Sequence, residues 1–151
     1  MSEGRRLYFE DFEPGATFDL GSKTVLEDEI LRFAREFDPQ PFHTDAEAAK
    51  ASIFGGLVAS GMHIGSIWMR LYFDAILSHS ASMGSPGIQD MRWHRPLRPG
   101  DTVHGQLHIV AANPSTRDPL RGSVMLTSEL RNQQDETVMT LKAIGLFGRL
   151  P

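Results

Sequence analysis

The chain has 151 residues, 40% hydrophobic and 23% charged, which predicts one soluble globular domain over residues 1–151. It contains no cysteine, which excludes disulfides, thiolate nucleophiles and cysteine-based zinc sites and favours a reducing compartment. A net charge of −4 provides no general attraction to nucleic acid or to an anionic membrane, so we expect neither as a partner.

Two segments bear on localisation. The first 15 residues, MSEGRRLYFEDFEPG, contain charges and no continuous apolar segment, so they do not resemble a secretory signal. The longest apolar stretch, residues 62–77, contains Arg70 and Asp74 and is too short to cross a bilayer. We therefore expect a cytoplasmic protein.

The first half of the chain predicts one strand and three helices. A loosely alternating segment, residues 17–25, predicts a short strand. Residues 27–37 have apolar side chains at helical spacing, and Pro39 predicts that this helix ends near Phe37. Thr44 and Glu47 have the spacing of a capping box, which predicts a short helix over residues 45–51.

A glycine-rich loop, FGGLVAS, leads to Ser60, a candidate N-cap for the next helix. That helix, GMHIGSIWMRLYFDAIL over residues 61–77, has apolar residues around most of its circumference, so we expect it to be buried on most sides.

The second half predicts four strands with short connections between them. They span residues 88–97, 102–112, 121–132 and 136–150. Short connections favour an antiparallel meander. With the preceding long helix, these strands predict an α+β fold in which a curved antiparallel sheet wraps around one central helix.

The stretch FDPQPFHTD holds an acid, Asp38, and an imidazole, His43, on a proline-rich spacer. Pro39 and Pro41 restrict the backbone, so we expect residues 38–42 to stay extended rather than form another helical turn. The preceding helix ends at Asp38, where its dipole raises the proton affinity of a carboxylate, as a general base requires. Imidazole exchanges protons near neutral pH.

Two other interpretations of this stretch stay open. Asp38 and His43 are also ordinary turn residues, with His43 directly before the Thr44 cap. A metal site built on His43 and Asp45 lacks a third ligand at a recognisable spacing, so we expect no metal.

Gly61 opens the predicted central helix. Its backbone N–H would lie at the positive end of the helix dipole, where it stabilises negative charge that develops on an oxygen. Alternatively, the glycine permits close packing and nothing more.

These stretches resemble the MaoC-like dehydratase family, the (R)-specific enoyl-CoA hydratases and their relatives. The resemblance lies in FDPQPFHTDAEAAKAS, FGGLVASGMH and LRPGD. The family motif is Gly-Asp-x-Asn-Pro-Leu-His, and its Asp, Pro and His are matched here by Asp38, Pro41 and His43. Glycine, asparagine and leucine of the motif are replaced by Phe37, Gln40 and Phe42. The family's His-Gly-Met is matched by Ser60, Gly61 and Met62, with serine in place of histidine.

The resemblance implies a hotdog fold and a hydro-lyase that acts on a thioester. Asp38 and His43 would share one water, with Asp38 as base and His43 delivering a proton to C2, or with these two roles exchanged. The N–H of Gly61 would hold the thioester oxygen. Ser66 matches a serine that lies near the pair in relatives, or simply eases helix packing. No metal or redox cofactor is implied.

The resemblance also implies the partners: an acyl-CoA or acyl-carrier-protein thioester, and a second copy in a homodimer or larger homo-oligomer. Arg92, Arg95 and Arg98 would contact phosphates of coenzyme A or an acidic carrier, or form a solvated strand face. Gln40 and Phe42 depart from the motif and leave the acyl group open. The rival functions are a hotdog acyl-CoA thioesterase and a non-catalytic acyl-binding subunit.

Overall fold

A computed structural model describes residues 4–151. Within that range the α-helices are α1 (Glu27–Phe37), α2 (Pro41–Thr44), α3 (Ala46–Lys50) and α4 (Gly61–Ala75), and short 3-10 helices span Phe9–Asp11 and Leu77–His79. The strands are β1 (Thr17–Thr24), β2 (Gly87–Trp93), β3 (Thr102–Pro114), β4 (Arg121–Arg131) and β5 (Thr137–Gly148). The α+β fold, the strand near residue 17 and the helix that ends at Phe37 are thereby confirmed.

Over residues 4–151 the five strands form one antiparallel sheet in the order β1-β3-β4-β5-β2. The meander is confirmed for β3, β4 and β5, but the prediction that β2 belongs to it is wrong. β2 pairs with β5 at the far edge of the sheet. The connection from β2 to β3 leads past β5 and β4 and is held against the core. Leu97 in this connection is fully buried, and its carbonyl accepts a hydrogen bond from the N–H of Ala59.

The central helix α4 packs its buried side chains against the sheet. Ile64, Ile67, Trp68 and Leu71 join the main core with Leu126, Leu141 and Phe147. The indole of Trp68 donates to Ser128 Oγ at 2.8 Å, which satisfies its N–H in the core. However, α4 is not buried on every side. Met62, Met69 and Phe73 form an exposed apolar stripe at helical spacing.

Two local predictions between α1 and α4 are wrong. The capping box on Thr44 is absent because Asp45 caps α3 instead, accepting hydrogen bonds from the N–H groups of Glu47 and Ala48. Residues 38–42 do not stay extended throughout. Gln40 is extended, but Pro41 is the first residue of α2, a position that proline favours because its fixed φ suits a helix and its missing N–H is not needed there.

Candidate active site

Asp38 follows the last residue of α1, so its position is set by the end of that helix. Its N–H donates to the carbonyl of Ala34 at 2.8 Å, and Pro39 prevents the helix from continuing. The turn α2 then returns the chain, so that His43 faces Asp38. His43 Nε2 lies 3.4 Å from Asp38 Oδ2.

His43 is buried, and its other ring nitrogen determines the tautomer. Nδ1 lies 2.6 Å from the carbonyl oxygen of Val58. A carbonyl can only accept a hydrogen bond, so we assign the proton of the neutral ring to Nδ1. Nε2 then carries the lone pair that faces Asp38. Two proton acceptors therefore lie side by side, an arrangement suited to a shared water that donates one hydrogen to each.

The Asp38 carboxylate accepts hydrogen bonds on both oxygens. Ser60 Oγ donates to Oδ2 at 2.7 Å, and Gln40 Nε2 donates to Oδ1 at 2.8 Å. Burial, the largest single influence, raises the pKa of Asp38. The hydrogen bonds from Ser60 and Gln40 and the neighbouring His43 outweigh it and leave the pKa below its ordinary value. The pKa of Asp38 is therefore lowered, whereas its position at the helix terminus predicted a raised proton affinity.

Ser60 is a site residue that the sequence did not identify. It occupies the N-cap position of α4 as predicted, but its hydroxyl makes no capping bond and points to Asp38 instead. Its place directly before Gly61, where the family motif has histidine, was the available signal. A side chain at that position projects toward the pair from the start of α4.

Gly61 is the first residue of α4 and lies beside Trp93. A Cβ atom added at Gly61 would lie 2.6 Å from a carbon of the Trp93 ring, too close for any side chain. Gly61 therefore permits close packing of the Trp93 ring, and this packing is compatible with an N–H donor at the same residue. First-turn N–H groups have no acceptor within their own helix.

A cavity of about 520 Å³, within the range of small-molecule sites, joins these groups. Asp38, His43 and Gly61 line it together, whereas Ser66 lies outside the lining. Ser66 is exposed, and its hydroxyl donates to the carbonyl of Met62 within α4 at 2.8 Å. The structure thus brings together three of the four residues singled out from the sequence.

The three arginines near β2 differ in their surroundings. Arg95 lines the cavity and forms an ion pair with Glu136 at 3.0 Å. Arg98 donates to the carbonyl of Phe54 at 2.6 Å and so holds the glycine-rich loop. Arg92 is exposed, with Asp90 3.9 Å away.

Residues 4–151 offer neither a metal site nor a membrane-spanning helix. No three His, Asp or Glu side chains in that range are grouped so that they would hold a metal ion. Asp45, the second ligand considered with His43, is engaged in capping α3. None of the helices described combines the length and the apolar character needed to cross a membrane.

The five-stranded antiparallel sheet and its central helix define a hotdog domain. The chain belongs to the family of MaoC-like domains, whose family model matches residues 11–128. A solved structure of a MaoC-like dehydratase from Rhodospirillum rubrum is 40% identical, with a TM-score of 0.90, over 96% of this chain and 99% of that one.

Two characterised relatives bear names that describe their reactions. The (R)-specific enoyl-CoA hydratase of Rhodospirillum rubrum is 28% identical over 115 residues, 73% of this chain and 74% of that protein. The 3-hydroxybutyryl-CoA dehydratase of Methylorubrum extorquens is 27% identical over 122 residues, 78% of this chain and 73% of that protein. The family therefore includes hydro-lyases.

Proposed function

We propose that this protein adds water reversibly across the double bond of a 2-enoyl thioester and forms an (R)-3-hydroxyacyl thioester. One observation carries the proposal. Asp38 Oδ2 and His43 Nε2 lie 3.4 Å apart in a cavity, with Nδ1 of the histidine engaged by Val58. The names of the two characterised relatives, a hydratase and a dehydratase, support the same reaction in its two directions.

In the proposed hydration, the pair takes one proton from the shared water while the water oxygen bonds to C3. The π electrons of the double bond move toward the thioester oxygen and produce an enolate. A proton then passes from the pair to C2, which returns both side chains to their starting states. Asp38, whose pKa is lowered, is ionised and takes the proton from the water. That proton then passes to the lone pair on His43 Nε2, 3.4 Å from Oδ2, and from His43 to C2.

Gly61 is the proposed donor to the enolate oxygen. Its N–H belongs to the first turn of a 15-residue helix, so the helix dipole adds to the hydrogen bond. Proton transfer and charge stabilisation are thus supplied by the chain itself. We propose that the reaction needs no metal or redox cofactor, and that coenzyme A or a carrier protein bears the acyl group.

The first test is loss of enoyl-thioester absorbance with crotonyl-CoA and longer 2-enoyl-CoAs. Asp38→Asn and His43→Asn should each lower kcat by about 10²-fold or more, the scale for a positioned acid–base group. Asparagine at position 43 retains an N–H donor for Val58 but removes the basic nitrogen. Glu47→Gln, which removes an exposed carboxylate on α3 that does not line the cavity, is the control and should retain full activity.

Two results would contradict this assignment. Release of free thiol from saturated acyl-CoAs, without hydration, would identify a thioesterase. Binding of thioesters without any turnover, unchanged by Asp38→Asn, would identify a non-catalytic acyl-binding subunit.

A second copy of the chain is the proposed assembly partner. The exposed apolar stripe of α4 lies near β2, the edge strand, where Ile88 is also exposed. Exposed apolar residues grouped on one helix and an adjacent sheet edge are typical of a subunit interface. Met62 belongs both to this stripe and to the catalytic cavity, so a dimer formed here would cover part of the site.

A further inference from the structure

We infer that Trp93 is a positioning residue that orients Gly61, and with it the N–H that donates a hydrogen bond to the thioester oxygen. The inference rests on the proposed function, because it assigns a role in the same reaction. Trp93 is the last residue of β2 and lines the catalytic cavity together with Asp38, His43 and Gly61. It acts on the reaction through Gly61.

Two contacts join Trp93 to Gly61. The indole ring occupies the space that a side chain at Gly61 would fill, with a ring carbon 2.6 Å from the position of the missing Cβ. The indole N–H donates to the carbonyl oxygen of Gly61 at 2.9 Å. The ring therefore packs against the α-carbon while its polar edge holds the carbonyl of the same residue.

The contact follows from a match of spacing between β2 and α4. Gly61 and Gly65 lie four residues apart on α4, about 6 Å along its axis. Trp93 and Met91 lie two residues apart on β2, about 6.7 Å along the strand. Met91 accordingly packs against Gly65, its Cε 3.3 Å from the position of the missing Cβ there, as Trp93 packs against Gly61. Met91 makes this contact through a thioether and so provides a matched control.

Gly61 needs an external restraint because glycine has the widest choice of backbone angles. A first-turn N–H that must point at a developing oxyanion is effective only when its direction is fixed before the reaction. Packing on the α-carbon and a hydrogen bond to the carbonyl together restrict this residue. Trp93 thereby supplies the rigidity that a side chain at position 61 would otherwise provide.

Trp93→Phe is the informative variant because it retains a ring beside Gly61 and removes only the N–H. We expect kcat for enoyl-CoA hydration to fall roughly three- to ten-fold, the effect of losing one hydrogen bond, and KM to rise by a smaller factor of about two- to five-fold. Trp93→Leu should lower kcat further, because it also removes the ring, and Met91→Leu should retain wild-type kcat. Equal losses in Trp93→Phe and Met91→Leu, or a change in KM alone, would overturn the inference.

A binding measurement separates this inference from the proposed function. Calorimetry would compare butyryl-CoA with its thioether analogue, S-butyl-CoA, which lacks the carbonyl oxygen. Wild type and Met91→Leu should prefer the thioester by the same factor, and Trp93→Phe should reduce that preference about two- to five-fold. An unchanged preference in Trp93→Phe would refute the positioning role even in an active hydratase. A reduced preference in a protein that hydrates no enoyl-CoA would support the role and refute the hydratase.

Discussion

The hydroxyl of Ser60 connects two features that are far apart in the sequence, the start of α4 and the carboxylate of Asp38. Its hydrogen bond to Oδ2 favours the ionised acid, and Gln40 does the same at Oδ1. Gln40 is one of the departures from the family motif, and its amide reaches the acid directly. At the scale of single residues, the site therefore maintains a carboxylate ready to accept a proton.

Ser60→Ala should raise the pKa of Asp38, because it removes a hydrogen bond made to the charged form. A higher pKa leaves less carboxylate at a given acidic pH. The acidic limb of the profile of kcat/KM against pH should therefore move to higher pH, with less than about a ten-fold loss at neutral pH. Ser66→Ala, which removes a hydroxyl bonded within α4, should leave the profile unchanged. A limb that moves equally in both variants would exclude this role of Ser60.

At the scale of elements, α1 and α4 meet through Phe33 and His63. Their rings are stacked with centroids 4.7 Å apart and 9° between the planes. His63 is buried, and its Nδ1 has no hydrogen-bond partner among the residues described. Because Asp38 directly follows α1 and α4 begins at Gly61, this contact helps to fix the position of Asp38 relative to Gly61.

His63 should make the stability of the protein depend on pH. Burial is the main reason that its pKa is lowered; Glu29 opposes this effect, and Lys23 and Arg32 add to it. The unfolded chain therefore binds a proton more readily, so the stabilisation is complete above about pH 6.5 and is lost as the pH falls toward the folded pKa. The slope from this group is at most about 1.4 kcal/mol per pH unit.

Urea unfolding between pH 7.5 and 5 measures this effect. His63→Leu should show a shallower loss of stability over the acidic part of the range than wild type. Phe33→Leu should be less stable at every pH but retain the wild-type slope, because it changes the packing and keeps the imidazole. If His63→Leu had the wild-type slope, the dependence would have to come from other groups.

At the scale of the whole molecule, the apolar stripe on α4 remains exposed to solvent in a single chain. Phe73 is 47% and Met69 42% exposed, on a helix whose opposite side is in the core. A second copy placed against this stripe and the β2 edge would bury these side chains. The same copy would enclose part of the cavity through Met62.

Phe73→Glu should therefore shift the protein from dimer to monomer in sedimentation velocity at micromolar concentration, because a buried unpaired charge is costly at an interface. Hydratase activity should fall with it, since the cavity would lose its cover. Leu120→Glu places the same charge at an exposed apolar residue in the loop between β3 and β4 and should leave the assembly intact. A wild-type monomer, or a dimeric Phe73→Glu variant, would disprove this interface.

The sequence by itself determined most of the elements and singled out the pair Asp38 and His43. Proline after Asp38 ends α1, alternating patterns define β3, β4 and β5, and the resemblance of FDPQPFHTD to the family motif singled out Asp38 and His43. These are local features, because turn chemistry and periodicity act within a few residues.

Tertiary structure decided what depends on contacts between distant segments. The bonds of Ser60 to Asp38 and of His43 to Val58 span 22 and 15 residues, and the place of β2 beside β5 is set by packing across the sheet. Asp45 and Thr44 are both residue types that cap helices, and only the structure shows that Asp45 caps α3. Trp93 and Gly61 lie 32 residues apart, and no local pattern indicates that the indole ring packs against this glycine and bonds its carbonyl.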